Sequence, residues 1–302
     1  MSAATTVAEP VAARGGVRGF LRLVAIEHSV FALPFAYIAA LTAMGRSVRW
    51  GDLAFVTVAM VAARTFAMAA NRVIDRELDA RNPRTATREL VTGALPVSTA
   101  VAGAAVSLAV FLGAAAALSP LCLVLAPVAL APLTLYPYAK RFTWLCHYVL
   151  GFAQAIAPVG AWVAVTGTVD GWRPAILLGL AVGTWIAGFD LIYACQDVES
   201  DRREGVYSLP ARFGAKIALY VSLGTHMVTL RLLDQFGDAA GLGRIWDVGV
   251  VLTGLALLYE HWIVRPDDLS RVNRAFFTVN GFVGVGLFGF ALAALVANGL
   301  RP

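Results

Sequence analysis

Charge is scarce in this chain. Asp, Glu, Lys and Arg make up 14% of its 302 residues, whereas 59% of the residues are hydrophobic and the mean hydropathy is +0.73. So few charges exclude an ordinary soluble domain, and so many apolar residues exclude a disordered chain. Cysteine is rare as well. Cys122, Cys146 and Cys195 lie in or beside apolar segments at spacings unlike any metal or disulfide framework, so we interpret them as packing residues.

The abundant feature is apolar sequence in long runs. About nine segments approach the roughly 20 residues that a helix needs to cross the hydrocarbon of a bilayer. The sequence therefore predicts an all-α, polytopic membrane protein, with about nine transmembrane helices in a bundle around a central cavity and one domain at residues 20–302. The expected segments are residues 24–44, 52–72, 98–118, 120–138, 145–166, 174–195, 215–235, 246–264 and 275–298.

Lys and Arg are unevenly distributed between alternate loops. With the N-terminus inside, the cytoplasmic side carries 17 of these residues and the other side carries 5. The positive-inside rule then predicts a cytoplasmic N-terminus. Residues 1–19 are small, polar and basic and lack the apolar core of a signal peptide, so we expect a cytoplasmic tail there. This orientation also places the ends of the second and sixth segments at the cytoplasmic face.

Two acidic motifs occur at those two ends. The first contains Asp75 and Asp79, and the second contains Asp197 and Asp201. A spacing of four residues on a helix brings both carboxylates of a pair to one face. Mg²⁺ prefers oxygen ligands, usually takes one or two carboxylates, and completes its shell with water and phosphate oxygens. The paired motifs therefore predict a diphosphate held between two acidic helix ends.

Several single polar residues lie within or beside the apolar segments. Asp190 lies about two turns before the end of the sixth segment, where a charge is costly and usually faces the bundle interior or a cavity, so we favour a functional role for it. Arg64 is equally compatible with a buried counter-ion and with a structural partner. We interpret Glu27, His28 and His147 as interfacial residues, because isolated polar groups at segment ends are common.

Basic residues accompany the acidic motifs. Arg84 and Arg88 follow the first motif, and Lys140 and Arg141 end the fourth segment. Such cations could neutralise the negative charge that a metal-bound diphosphate retains. Positive-inside topology alone explains the first two equally well. Lys140 and Arg141 adjoin aromatic residues in the run Tyr136-Pro-Tyr-Ala-Lys-Arg, so they could face an aromatic acid.

These motifs resemble a known family. The run Asn71-x3-Asp75-x3-Asp79, followed by Arg84-Thr85-x2-Arg88, resembles the first signature of the UbiA superfamily of intramembrane aromatic prenyltransferases. The run Asp190-x2-Tyr193-x2-Gln196-Asp197-x3-Asp201 resembles its second signature. The sequence Tyr-Pro-Tyr-Ala-Lys-Arg-Phe-Thr is similar to the segment that ends the fourth span of 4-hydroxybenzoate polyprenyltransferases. The resemblance covers nearly the whole chain.

The resemblance implies Mg²⁺-dependent transfer of a polyprenyl chain from polyprenyl diphosphate to a hydroxylated aromatic carboxylate, in respiratory quinone biosynthesis. It implies an enzyme embedded in a bacterial plasma membrane, with its active site facing the cytoplasm and no nucleic-acid partner. Arg141 would bind the carboxylate of the aromatic acceptor. The implied metal ligands are Asn71, Asp75, Asp79, Asp197 and Asp201; the implied catalytic residues are Asp75, Asp190, Asp197 and Arg141; and the implied substrate-binding residues are Asn71, Arg84, Arg88, Lys140, Arg141, Tyr193 and Gln196.

One departure bears on the acceptor. Many 4-hydroxybenzoate enzymes carry Asn-Asp and Arg-Pro-Leu where this chain has Asn71-Arg72 and Arg88-Glu89-Leu90. With the run that begins at Glu27 and ends at Phe35, this variant is more similar to the branch that serves menaquinone synthesis by the futalosine route. That branch prenylates 1,4-dihydroxy-6-naphthoate. The alternative is a 4-hydroxybenzoate polyprenyltransferase of ubiquinone-type biosynthesis, since both acceptors are hydroxylated aromatic carboxylates.

Other classes remain open at this point. Intramembrane carboxylates and duplicated halves also mark ion-coupled transporters, although here the acidic groups cluster at one membrane face and not at the midplane. A membrane scaffold with an incidental metal site is a further alternative. Within the same superfamily, a terpene cyclase or a haem- or chlorophyll-type prenyltransferase would share these motifs.

Overall fold

The computed structural model describes residues 17–24 and 32–301. Most of the expected tail (residues 1–16), Glu27 and His28 therefore lie outside the described residues. Within the described ranges the chain is almost entirely helical, with two isolated β-bridges and no strand. The all-α prediction is confirmed.

Nine long helices in the described ranges match the nine predicted segments one to one. Shorter helices, such as Arg76–Arg81, Val198–Glu204 and Leu209–Phe213, lie in the connections. The long helices are α1 (Leu33–Met44), α2 (Trp50–Ile74), α3 (Val97–Leu118), α4 (Pro120–Ala139), α5 (Cys146–Thr166), α6 (Arg173–Ala194), α7 (Ala215–Ala240), α8 (Gly243–Ile263) and α9 (Asn280–Ala297).

Six helical stretches of the described chain are both long and apolar enough to cross a membrane. They are α2, α3, α4, α5, the stretch Arg173–Glu204 that contains α6, and the stretch Val272–Ala297 that ends in α9. Helices α7 and α8 have sufficient length but a more polar composition. Helix α1 has 12 residues, which gives a length of about 18 Å against roughly 30 Å of bilayer hydrocarbon.

The first predicted segment starts too early. We expected a helix over residues 24–44, but Val24 and Ala32 lie in turns and α1 begins at Leu33. Pro34 explains this start, because proline has no backbone N–H and is favoured in the first turn, where that donor has no intrahelical partner.

Helices α5 and α6 are packed unusually closely. A Cβ atom added at Gly151 would collide with the backbone carbonyl of Gly183, and one added at Gly179 would lie 2.6 Å from the carbonyl oxygen of Ala155. Small residues allow such an approach of two helix backbones. The two helices run antiparallel and are joined by a short loop, so the start of α5 lies beside the end of α6.

Each acidic motif straddles a junction between two helices. Helix α2 ends at Ile74 and the next helix begins at Arg76, yet the backbone N–H of Asp79 still donates to the carbonyl of Asp75 at 2.8 Å. Helix α6 passes through a 3₁₀ turn, Cys195–Asp197, into the helix Val198–Glu204. Both motifs therefore place one aspartate at a helix end and the next on the following short helix.

Candidate active site

Asp75 is the most deeply buried aspartate of the two acidic motifs, with 1% of its surface exposed. Its Oδ2 atom accepts hydrogen bonds from Lys140 Nζ at 2.7 Å and from Asn71 Nδ2 at 2.9 Å. The guanidinium of Arg141 lies 3.7 Å from the Oδ1 atom and donates to the carbonyl of Ile74. The end of α4 thus supplies two cations to the carboxylate at the end of α2.

Asp79 has a separate cation. Its Oδ1 atom accepts a hydrogen bond from Arg88 at 2.5 Å. The loop between them is held by the buried Thr85, whose hydroxyl donates to the backbone carbonyl of Asp79 at 3.0 Å. The loop after the first motif therefore folds back and brings Arg88 to Asp79.

Arg84 joins the two motifs. It donates to both carboxylate oxygens of Asp197, at 3.0 and 2.6 Å, and to the hydroxyl of Tyr193 at 3.1 Å. Asn82 adds a hydrogen bond to Asp197 at 2.9 Å. A two-point contact between arginine and a carboxylate fixes orientation as well as charge. The predicted proximity of the two motifs is therefore present, although they lie more than 100 residues apart in the sequence.

The other two aspartates of the second region have different partners. Asp201 accepts a hydrogen bond from the hydroxyl of Ser208 at 2.7 Å. Asp190 is hydrogen-bonded to His147 Nδ1, also at 2.7 Å. His147 is only 3% exposed, so its interpretation as an interfacial residue was wrong: the close packing of α5 on α6 buries the imidazole against Asp190.

These residues surround a polar cavity of about 250 Å³. Gln196 does not line it, because its side-chain amide turns back to the carbonyl of Tyr193. Arg141 lies outside the lining as well, although it approaches Asp75. The other predicted site residues all line this cavity: Asn71, Asp75, Asp79, Arg84, Arg88, Lys140, Asp190, Tyr193, Asp197 and Asp201.

The lining of the polar cavity is acidic on balance. It contains six carboxylates, counting Glu204, but three cationic side chains. A bare diphosphate would therefore meet net repulsion, whereas divalent cations would be attracted. Charge balance alone thus favours a diphosphate that enters together with metal ions.

The donor set fits magnesium. Asp75 Oδ1 is buried and makes no hydrogen bond within the described part of the chain, so it has a free oxygen of the kind that Mg²⁺ prefers. No three His, Cys, Asp or Glu side chains among the described residues cluster tightly enough to hold a metal by themselves. That is consistent with ions whose shells are completed by water and diphosphate oxygens.

Two groups of the polar cavity that lie in connections between helices, Asp75 and Arg84, have shifted pKa values. Burial raises the pKa of the Asp75 carboxyl above its usual range, against the opposing effect of Lys140. Burial alone would lower the pKa of Arg84, but its hydrogen bonds to Asp197 and the charge of that carboxylate raise it. The pairing with Asp197 therefore keeps Arg84 in its charged form.

A larger, apolar cavity of about 600 Å³ adjoins the polar one. Tyr136 is the one residue of the described chain that lines both. Alanine, leucine, valine and aromatic side chains form most of the apolar wall. Arg64 also lines it, and its Nε atom is buried without a hydrogen-bond partner in the described residues. An arginine in such a wall can receive an anionic group that enters the cavity.

Some site residues escaped the sequence analysis. Asn82 and Ser208 hold Asp197 and Asp201, yet both lie in polar loops where such residues are ordinary. His147 offered one signal: it is a polar residue in the first turn of an otherwise apolar segment, where polar groups usually face the protein interior. Its partner lies 43 residues away, so spacing could not reveal the pair.

Residues 32–298 match the model of the UbiA prenyltransferase family. The chain belongs to this family. Membership confirms the resemblance drawn from the two motifs, and it confirms that the chain is a transferase and not a transporter or scaffold. Together with its six long apolar helices in the described ranges, it makes this UbiA family member an integral membrane protein.

Curated relatives support the same conclusion. The UbiA family chain is 32% identical to a 4-hydroxybenzoate octaprenyltransferase of Azotobacter vinelandii over 73% of its own length and 74% of the relative's. It is 31% identical to a polyprenyl transferase of Arthrobotrys oligospora, and that match spans 79% of the chain but 64% of the relative.

Solved structures share the fold. A UbiA homolog from Aeropyrum pernix K1 superposes with a TM-score of 0.81 at 35% identity, over 89% of this chain and 98% of the other. A UbiA homolog from Archaeoglobus fulgidus, solved with GPP and Mg²⁺, superposes with a TM-score of 0.70 at 21% identity, over 92% of this chain and 99% of the other. The second likeness shows the common fold.

Proposed function

We propose that this UbiA family member transfers a polyprenyl chain from polyprenyl diphosphate to a hydroxylated aromatic carboxylate in respiratory quinone biosynthesis, with 1,4-dihydroxy-6-naphthoate, for menaquinone, as the favoured acceptor. One observation carries the proposal. A polar, charged cavity of about 250 Å³ meets an apolar cavity of about 600 Å³ at Tyr136. A polyprenyl diphosphate has a charged head and an apolar tail, and the two cavities match its two parts.

The acidic residues of both motifs would hold two Mg²⁺ ions with the diphosphate between them. Carboxylates of both motifs line the polar cavity, and Asp75 keeps one oxygen free of hydrogen bonds to described residues. When bound, Mg²⁺ stabilises the negative charge that develops on the leaving diphosphate. The proposed ligands are Asn71, Asp75, Asp79, Asp197 and Asp201.

The cations of the cavity would bind the diphosphate directly. In the structure Arg84, Arg88 and Lys140 are each paired with a motif aspartate. Each of these pairs can exchange partners when substrate arrives, with the carboxylate turning to a metal ion and the cation turning to a diphosphate oxygen. Such an exchange keeps every buried charge compensated, which lowers its energetic cost.

Two arginines are candidates for the carboxylate of the acceptor. Arg141 is the residue expected from the family resemblance; it is 41% exposed and lies near Asp75. Arg64 lies in the apolar wall with an unpartnered Nε atom. We propose that the acceptor approaches from the Tyr136 boundary between the two cavities. Tyr193, which lines the polar cavity, would shape the donor side.

Asp190 would accept the proton that the reaction releases. A ring carbon of the acceptor forms a bond to the first carbon of the prenyl chain, while the bond from that carbon to the diphosphate oxygen breaks. The ring then loses a proton to the Asp190 carboxylate and regains its aromaticity. Asp190 lines the polar cavity and its side chain is 25% exposed, so an acceptor can reach it. The apolar wall would exclude water from the allylic cation.

The location of the reaction follows from orientation. The charged cavity lies at the ends of α2 and α6 and at the start of α5. The excess of Lys and Arg on the connections at that end supports a cytoplasmic location by the positive-inside rule. We therefore propose that the active site faces the cytoplasm of a bacterial plasma membrane.

The deciding experiment is a prenyl-transfer assay on purified protein. One labelled polyprenyl diphosphate is offered with 1,4-dihydroxy-6-naphthoate and, separately, with 4-hydroxybenzoate. We expect Mg²⁺-dependent product from the naphthoate. The second candidate, 4-hydroxybenzoate, is favoured by the names of relatives such as the Azotobacter vinelandii enzyme. Product from 4-hydroxybenzoate alone would move the protein to the ubiquinone-type branch, and product from neither would overturn the proposed acceptor class.

The acceptor arginine can be identified in the same assay. Arg64→Gln and Arg141→Gln each remove one cation while keeping a polar side chain. The variant that lacks the carboxylate partner should show a raised KM for the acceptor with an unchanged KM for the donor. Equal effects on both substrates in both variants would exclude either arginine from this role.

A further inference from the structure

A buried His147 and a partly exposed Asp190 form a hydrogen-bonded pair at the wall of the polar cavity. The imidazole Nδ1 lies 2.7 Å from Asp190 Oδ2, and the His147 side chain is 3% exposed. Both residues line the cavity. His147 is in the first turn of α5, seven residues after Lys140, whereas Asp190 lies in the last two turns of α6.

The backbone determines which nitrogen of His147 carries the proton. The N–H of Leu209 points to Nε2 at 3.4 Å. Leu209 begins a short helix, so this N–H has no acceptor within the helix. A neutral imidazole has one donor and one acceptor nitrogen. If Nε2 accepts from Leu209, then Nδ1 carries the hydrogen and donates it to Asp190.

This arrangement leaves Asp190 with one free oxygen. Oδ2 is occupied by His147, and Oδ1 makes no hydrogen bond to any described residue. The orientation of the carboxylate is thereby fixed, with one basic oxygen available to the cavity.

We infer that His147 is a positioning residue, which holds the Asp190 carboxylate oriented so that its free oxygen accepts the proton from the acceptor ring. The inference rests on the proposed prenyl transfer. As the new carbon–carbon bond forms and the carbon–oxygen bond to diphosphate breaks, the ring proton passes to Asp190 Oδ1. His147 keeps its own hydrogen on Nδ1 throughout and does not touch the substrate.

Paired substitutions of His147 test this role. The amide nitrogen of asparagine takes nearly the same position as Nδ1, so His147→Asn keeps a donor to Asp190, whereas His147→Leu fills the space without one. We expect kcat to fall about 10- to 100-fold in H147L, with the donor KM unchanged, and to recover most of that loss in H147N. A kcat in H147L within about twofold of the native value, or no better rate in H147N than in H147L, would overturn the inference.

A double-mutant cycle tests whether His147 acts through Asp190. We expect H147L combined with Asp190→Asn to be no slower than D190N alone, because the same function is already lost. Fully additive losses would contradict the inference. Tyr148→Phe is a matched control. Tyr148 follows His147 in α5 and lies outside both cavities, and the substitution removes its 2.7 Å hydrogen bond to Thr225. Y148F should keep the native kcat.

A measurement without substrate separates this inference from the proposed function. Protein labelled with ¹⁵N-histidine reports the tautomer of each imidazole by NMR, and the loss of one signal set in H147N assigns His147. We expect a neutral ring with hydrogen on Nδ1. Hydrogen on Nε2, or a doubly protonated ring, would overturn the inference. If no acceptor gives product, the proposed function fails while this result still decides the His147–Asp190 geometry.

Discussion

The two cavities of this UbiA family protein are lined by opposite kinds of side chain. The polar cavity has charged side chains in cation–carboxylate pairs, such as Arg84 with Asp197 and Arg88 with Asp79. The apolar cavity is more than twice as large and has Arg64 as its single charged lining residue in the described chain. One cavity therefore distinguishes ligands by charge, and the other distinguishes them by size and shape.

This difference reflects the energetic cost of charged groups at different positions in a membrane protein. Charged groups occur at the ends of α2, α4 and α6, where loops and water keep their cost low. The apolar cavity lies deeper between the helices, where unpaired charges are expensive. Changes to the polar cavity should thus affect turnover with every donor, whereas changes to the apolar cavity should affect the choice among donors.

Metal removal should have the largest effect. Because the polar cavity carries more carboxylates than cations, a diphosphate cannot be bound productively there without divalent ions. We expect excess EDTA to reduce prenyl transfer to background for all donors, and added Mg²⁺ to restore it. Activity that survives dialysis against EDTA with every donor would refute the two-metal proposal.

Neutralising one aspartate of the acidic motifs should have the second-largest effect on turnover. Asp75→Asn and Asp197→Asn keep the shape of the side chain but remove the charge, and we expect each to lower kcat about 100- to 1,000-fold. The control is Asp247→Asn, an exposed residue of α8 that lines neither cavity. Size-exclusion profiles equal to those of the native protein will show that folding is retained. Native turnover in D75N would remove Asp75 from the site.

Substitution of Arg84, which joins the two motifs, should have an intermediate effect on kcat/KM for the donor. Arg84→Lys keeps the positive charge but loses the two-point contact with Asp197, which we expect to cost about tenfold in kcat/KM for the donor. Arg84→Ala should cost about 100-fold, since the buried carboxylate also loses its cation. If lysine were as good as arginine, charge alone would explain the role of this residue.

A smaller and more selective effect is expected in the apolar cavity. Ala153→Leu adds volume to a buried wall position, so it should favour short donors over long ones by about tenfold relative to the native protein. The matched control, Ala105→Leu, makes the same change at an exposed position of α3 that lines neither cavity. Assays with two donors of different chain length measure the ratio. An equal loss with both donors would contradict a chain-binding role for this cavity.

Helix positions were predictable because each depends on a local run of sequence. Long apolar runs located all the long helices, and the spacing of Asp75 and Asp79 predicted their shared face. The start of α1 was missed, since Pro34 sets a helix boundary inside a continuous apolar run.

The assembly of the site was less predictable because it depends on contacts between distant segments. Neither the pairing of Arg84 with Asp197 nor that of His147 with Asp190 follows from spacing. Arg64 illustrates a different case: the sequence left a counter-ion role and a structural role equally open, and in the structure its buried Nε atom has no hydrogen-bond partner among the described residues. Close packing of Gly151 on Gly183 decides which side chains meet, and a single sequence does not reveal it.

The position of Tyr136 between the two cavities has a consequence for how the products depart. The reaction would produce a small, water-soluble diphosphate and a large, lipid-soluble prenylated ring. In the proposed reaction the diphosphate would form on the charged side of Tyr136, and the prenyl chain would lie on the apolar side. The two products can therefore leave in different directions, one to the aqueous phase and one to the bilayer, so neither has to wait for the other to clear its path.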